Sequence, residues 1–164
     1  TAGGSGIPDV KAYLNGNLLP NMLCARTWVC RVVGLIFVTS SGLFAGTEGP
    51  MAHVGAITGA GISMGRSSLL GCQLRCLSSL NNHHTKLEFM SLGATIGVAA
   101  AFGAPIGGLL FTLEEAASFW TPQLTWRACL GGSIASLVAK GTKTGFQAMP
   151  LNGFIEFPDQ NAAW

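Results

Sequence analysis

Charge is scarce in this sequence. Asp, Glu, Lys and Arg make up 10% of its 164 residues, against about 25% in typical soluble domains, which argues against a water-soluble enzyme. The nine Lys and Arg that leave a net charge of +2 are scattered, so no basic block exists to grip nucleic acid. A phosphate-binding loop is missing too. Gly59, Gly61 and Gly65 lack the glycine at the sixth position that a nucleotide loop needs, and they lie in an apolar stretch. That leaves a membrane-bound nucleotide enzyme with only a defective motif. Five cysteines (Cys24, Cys30, Cys72, Cys76, Cys129) are an odd number without the dense spacing of a disulfide scaffold, and read mostly as free thiols. Cys72 and Cys76 with His83 and His84 match no standard zinc spacing, so neither a metal site nor a cofactor is expected. No signal peptide opens the chain. Thr1-Ala-Gly-Gly-Ser-Gly reads as a loop, and the sequence as a piece from inside a longer protein.

What is abundant is apolar residues and glycine: 49% hydrophobic, a mean hydropathy of +0.46 and 23 glycines. Disorder is excluded by that balance, and a membrane is implied. Trp28 to Ala45 carries Arg31 as its only charge and has about the length a bilayer crossing requires. Phe89 to Leu113 has no charge but is interrupted by Gly103-Ala104-Pro105 and Gly107-Gly108, which predicts two short helices in place of one span. Pro50 to Met64 and Leu124 to Val138 are shorter apolar segments, and about 66–87 reads as a polar connecting loop. Lys and Arg flank the segments on both sides, so charge bias fixes no orientation. The fold class expected is an all-α integral membrane bundle of short, broken and tilted helices, with 1–164 part of a single transmembrane domain. Gly42/Gly46, Gly55/Gly59, Gly61/Gly65, Gly93/Gly97 and Gly103/Gly107 repeat at the four-residue spacing that lets helices approach closely. Tyr13, Trp120 and Trp126 suit either packing or the membrane interface. His53 reads as a packed polar group in preference to a ligand.

Three clusters carry candidate chemistry. Gly4-Ser5-Gly6-Ile7-Pro8-Asp9 places a hydroxyl and free amides at a helix start, where anions are attracted; an ordinary helix cap is the plainer reading. Gly46-Thr47-Glu48-Gly49-Pro50 sets an ionisable carboxylate between glycines before an apolar segment, a costly placement that points to function. Leu113-Glu114-Glu115 ends an apolar helix with two acids that oppose the helix dipole, so helix stability does not account for them.

In this order, Gly4-Ser-Gly-Ile-Pro8, Gly46-Thr-Glu-Gly-Pro50 and Gly103-Ala-Pro-Ile-Gly-Gly-Leu-Leu-Phe-Thr-Leu-Glu-Glu115 resemble the CLC family of chloride channels and chloride/proton exchangers. Asp9-Val-Lys-Ala-Tyr-Leu-Asn-Gly16, Ala117-Ser-Phe-Trp120 and Leu124-Thr-Trp-Arg127 look most like its eukaryotic endosomal, lysosomal and vacuolar branch. The resemblance implies an anion site made by Ser5, Gly6, Ile7, Glu48 and Gly49. Ser5 is its chloride-coordinating hydroxyl and Glu48 the gating acid, while Glu115 is the internal proton-transfer residue. It further implies chloride and protons as the transported ions, a lipid bilayer around a homodimer with one pore per subunit, inverted repeats, and no enzymatic activity. Two departures from the family pattern stand out. Thr47 occupies a place where the family usually has Lys or Arg, and the Gly-x-Phe-x-Pro segment and pore Tyr of the family's second half are not in this sequence. Chloride/proton antiport is the expected activity, because channels of the family typically carry an apolar residue where Glu115 stands. A passive voltage-gated chloride channel and a transport-dead structural fragment are the alternatives.

Overall fold

The computed structural model describes residues 3–17, 19, 22–42, 46–64, 82–116 and 120–143, and every regular element among them is helical. The first helix, α1 (Ile7–Leu14), starts where Gly6 turns the backbone to φ 85° and Pro8 presets the first turn, and it buries Val10, Tyr13 and Leu14. The second, α2 (Ala25–Ser40), closes with hydroxyls turned back on the helix: Thr39 Oγ1 donates to the Leu35 carbonyl at 2.9 Å and Ser40 Oγ to that of Ile36 at 2.8 Å. Helix α3 (Glu48–Met64) opens on the second motif. Helix α4 (His83–Phe102) ends at Gly103, whose φ of 66° reverses the chain; Ala104 is extended, and Pro105 begins α5 (Pro105–Phe111). The predicted break is therefore present at Gly103-Ala104-Pro105, but only the helix after it is short: α4 runs for 20 residues, and Gly107-Gly108 lie inside α5 without interrupting it. A π-helical turn, Thr112–Ala116, follows directly, and α6 (Pro122–Lys143) completes the described chain.

Helices α3 and α4 form the densest contact, and glycine is the reason. A Cβ on Gly55 would overlap the Gly93 carbonyl and lie 3.2 Å from Cα of Gly97, and a Cβ on Gly93 would overlap the Gly55 carbonyl. Backbone meets backbone here, as small-residue spacing allows. Gly59 likewise faces Phe89 and Gly93, and Gly97 faces Met51. Of the other paired glycines, and among the described residues, Gly42 and Gly61 meet nothing within 4 Å, Gly46 faces the Glu48 side chain, Gly107 meets Ala104, and Gly103 caps a helix. Gly65 lies outside the described residues. Helix α6 crosses α4, with Gly131 against Ile96 and Gly132 against Ala99 and Pro105. Val10, Tyr13, Leu14, Met22, Ala56, Ala60, Met90, Ala94 and Ala116 make one core that ties α1 to α3 and α4.

Three expectations change. Among the described residues no helix is long and apolar enough to cross a membrane. The Trp28–Ala45 run contributes a helix only as far as Ser40, and the 16 residues of α2 span about 24 Å at 1.5 Å per residue, short of a hydrocarbon core about 30 Å thick. The connecting loop expected over about 66–87 lies outside the described residues as far as 81, and its last five residues are already the first turn and more of α4, which starts at His83. Glu114 and Glu115 sit in the π-helical turn, not on the last turn of an α-helix. Cys72 and Cys76 lie outside the described residues, whereas Cys24, Cys30 and Cys129 are free thiols. Tyr13 is packed inside, its hydroxyl accepting a 2.6 Å hydrogen bond from Lys86 Nζ; Trp120 donates to Thr125 Oγ1 at 2.7 Å, and Trp126 is exposed.

Candidate functional site

Two of the three motifs meet. Helices α1 and α3 pack together, and the loop before α1 reaches the start of α3. Ser5 lies directly on Gly49, where an added Cβ would overlap its Oγ and come 2.6 Å from its carbonyl oxygen. Any side chain at position 49 would displace Ser5. The exposed Ser5 hydroxyl is thereby placed between the N-terminus of α1, at Ile7, and that of α3, at Glu48. Both helix starts carry partial positive charge, so the pair forms one electropositive place with a hydroxyl donor in it.

Glu48 is the first residue of α3 and is half-buried. Its carboxylate folds back towards the chain before it, with Oε2 2.8 Å from where a Cβ on Gly46 would stand. Helix α3 is entered through Thr47, whose carbonyl accepts the Met51 amide at 3.1 Å. A carboxylate there occupies the very kind of place an anion would take.

Beneath the loop lies a polar group that reading the sequence had not assembled. Arg31, only 4% exposed in mid-helix α2, donates from Nη1 to the carbonyls of Gly4 at 3.1 Å and Ser5 at 3.3 Å, and its Nη2 stands 3.7 Å from Asp9 Oδ2. His53 of α3 is fully buried beside it. Gly6 is pressed onto both: a Cβ there would stand 2.7 Å from Arg31 Nη1 and 2.8 Å from His53 Nδ1. The signal for Arg31 was in the sequence, as the one charge in an apolar run, but a sequence does not show that it turns inward under Ser5.

The third motif joins from another side. Glu115 is half-exposed, and its Oε2 lies 3.4 Å from Lys11 Nζ on α1; Glu114 is exposed as well. Glu115 therefore shares α1 with the Ser5 loop without touching Ser5 or Glu48. No group of three or more His, Cys, Asp or Glu among the described residues could hold a metal ion.

Residues 1–161 match the family model described as voltage gated chloride channel. The chain belongs to this family. Relatives of the CLC chain include chloride channel protein D of Dictyostelium discoideum, 51% identical over 128 residues, which is 78% of this chain and 13% of that protein. Human H(+)/Cl(-) exchange transporter 7 is 46% identical over 135 residues, covering 82% of this chain and 17% of that protein. Chloride channel protein CLC-b of Arabidopsis thaliana is 38% identical over 140 residues, or 85% and 18%. The chain thus spans less than a fifth of the length of these CLC relatives.

Proposed function

We propose that the complete protein moves chloride across a membrane in exchange for protons, and that this chain supplies part of its anion path. Ser5, Gly6 and Ile7 at the start of α1 bind the anion together with Glu48 and Gly49 at the start of α3. Glu48 is the gate: charged, it fills the place of an anion; protonated, it leaves. Glu115 receives the proton at the other end of α1. The observation that carries this reading is the contact of Ser5 with Gly49, which unites two motifs 44 positions apart at two helix N-termini. The protein acts as a homodimer in an endosomal, lysosomal or vacuolar membrane, the setting that its resemblance to that branch implies.

Chloride efflux and pH change recorded together in liposomes holding the complete protein test the reading. Glu48→Ala should keep chloride flowing and lose the coupled protons. Uphill proton movement persisting in that variant would remove Glu48 from the gate. A passive channel is the second reading, favoured by the name chloride channel protein borne by the Dictyostelium relative; wild-type protein that passes chloride with no proton movement would establish it.

A further inference from the structure

The loop that carries the Ser5 hydroxyl must also satisfy its carbonyl oxygens, because a partly buried carbonyl without a donor is costly. In this chain the carbonyls of Gly4 and Ser5 accept from one side chain, Arg31, at 3.1 and 3.3 Å. That side chain comes from α2, a helix that contributes nothing to the three motifs. It is buried, and Asp9, on the first turn of α1, stands 3.7 Å from its Nη2. Gly6 closes over Arg31 and the fully buried His53, so the loop rests on a floor with no room for a side chain. Among the described residues, Nε and Nη2 of Arg31 and both nitrogens of His53 have no hydrogen-bond partner. A guanidinium retained there despite that cost is explained by what its Nη1 does for the loop.

We propose that Arg31 is a positioning residue for the anion site: by holding the Gly4 and Ser5 carbonyls down against the His53 floor, it fixes where the Ser5 hydroxyl stands and so sets which anion the site prefers. The inference rests on the reading of Ser5 as an anion ligand. A charge acting through space attracts chloride and nitrate alike, since each carries one negative charge, and so changes both fluxes together. Hydroxyl placement distinguishes a compact sphere from a larger planar ion, and so changes their ratio. Selectivity therefore separates positioning from simple attraction.

The test is chloride against nitrate flux in liposomes holding the complete protein, for wild type, Arg31→Met, Arg31→Lys and Asp9→Asn. Arg31→Met should lower the chloride-to-nitrate ratio about fivefold. Arg31→Lys, whose ammonium has three donors, should restore it to within about twofold of wild type. Asp9→Asn, which leaves Arg31 in place without its carboxylate, should shift the ratio the same way by about twofold. An unchanged ratio in Arg31→Met, with both fluxes reduced in step, would overturn the proposal. If Arg31→Met yields no assembled protein, Asp9→Asn decides: a shifted ratio supports positioning and an unchanged one overturns it. Glu48→Ala in the same liposomes keeps the two readings apart. Loss of proton coupling there, beside an unchanged ratio in Arg31→Met, would sink the positioning role and leave the exchange reading standing.

Discussion

Lys11 and Glu115, 104 positions apart, face each other across 3.4 Å and join α1 to the π-helical turn. Both side chains are about half exposed, at 51% and 53%, and exposed ion pairs of this kind contribute less than about 1 kcal/mol. Lys11→Met should therefore lower thermal stability in detergent only slightly. A loss of several degrees in melting temperature would mean that the pair carries more than its exposure allows.

The two neighbouring acids should not be equivalent. Only Glu115 has a basic partner on α1. Glu115→Val is expected to leave chloride permeation and remove chloride-driven proton movement, whereas Glu114→Gln has the smaller effect. Paired chloride and pH recordings decide; normal coupling in Glu115→Val would send the proton by another route.

Position 5 should govern anion preference. By resemblance to the family, Pro there accompanies a preference for nitrate, so Ser5→Pro is expected to raise nitrate relative to chloride flux. Gly49→Ala should weaken both fluxes, because the new methyl group takes the space of Ser5. Wild-type fluxes in Gly49→Ala would show that the contact is not needed for transport.

Gly93→Ala should destabilise through overpacking. Its Cβ would overlap the Gly55 carbonyl and sit 3.2 Å from the Gly59 amide nitrogen, both of them backbone atoms with little freedom to move. Forcing extra atoms into a packed contact costs about 1–3 kcal/mol. Gly61→Ala, whose added Cβ meets nothing within 4 Å among the described residues, should melt like wild type, and thermal unfolding of the two side by side is the measurement.

Local chemistry made much of the fold legible. The break at Gly103-Ala104-Pro105 follows from a glycine cap and a proline without an amide donor, and such rules act within a few residues. The Gly55 and Gly93 spacings announced a close helix contact for the same reason. What could not be read was anything that depends on which way a helix turns. Arg31 looked like a stray charge near one end of a membrane run, and only the packing of α2 shows its guanidinium beneath the Ser5 loop. The meeting of Ser5 with Gly49 is likewise a tertiary fact. The motifs named the residues, but no spacing along the chain says that the two helix starts converge. The π-helical turn at Thr112–Ala116 departs from the α-helical periodicity on which the placing of Glu114 and Glu115 relied.

The glycine seam between α3 and α4 limits how these two helices can move. With the carbonyl of each of Gly55 and Gly93 filling the place of the other's missing side chain, neither helix can slide along or rotate past the other without driving main chain into main chain, and close-packed interfaces of this sort do not deform gradually. Helix α3 thus acts as a fixed post. On the proposed reading of Glu48 as the gate, the motion to expect is a swing of that side chain about its own bonds, a small motion of few atoms, while the post that bears it stays still.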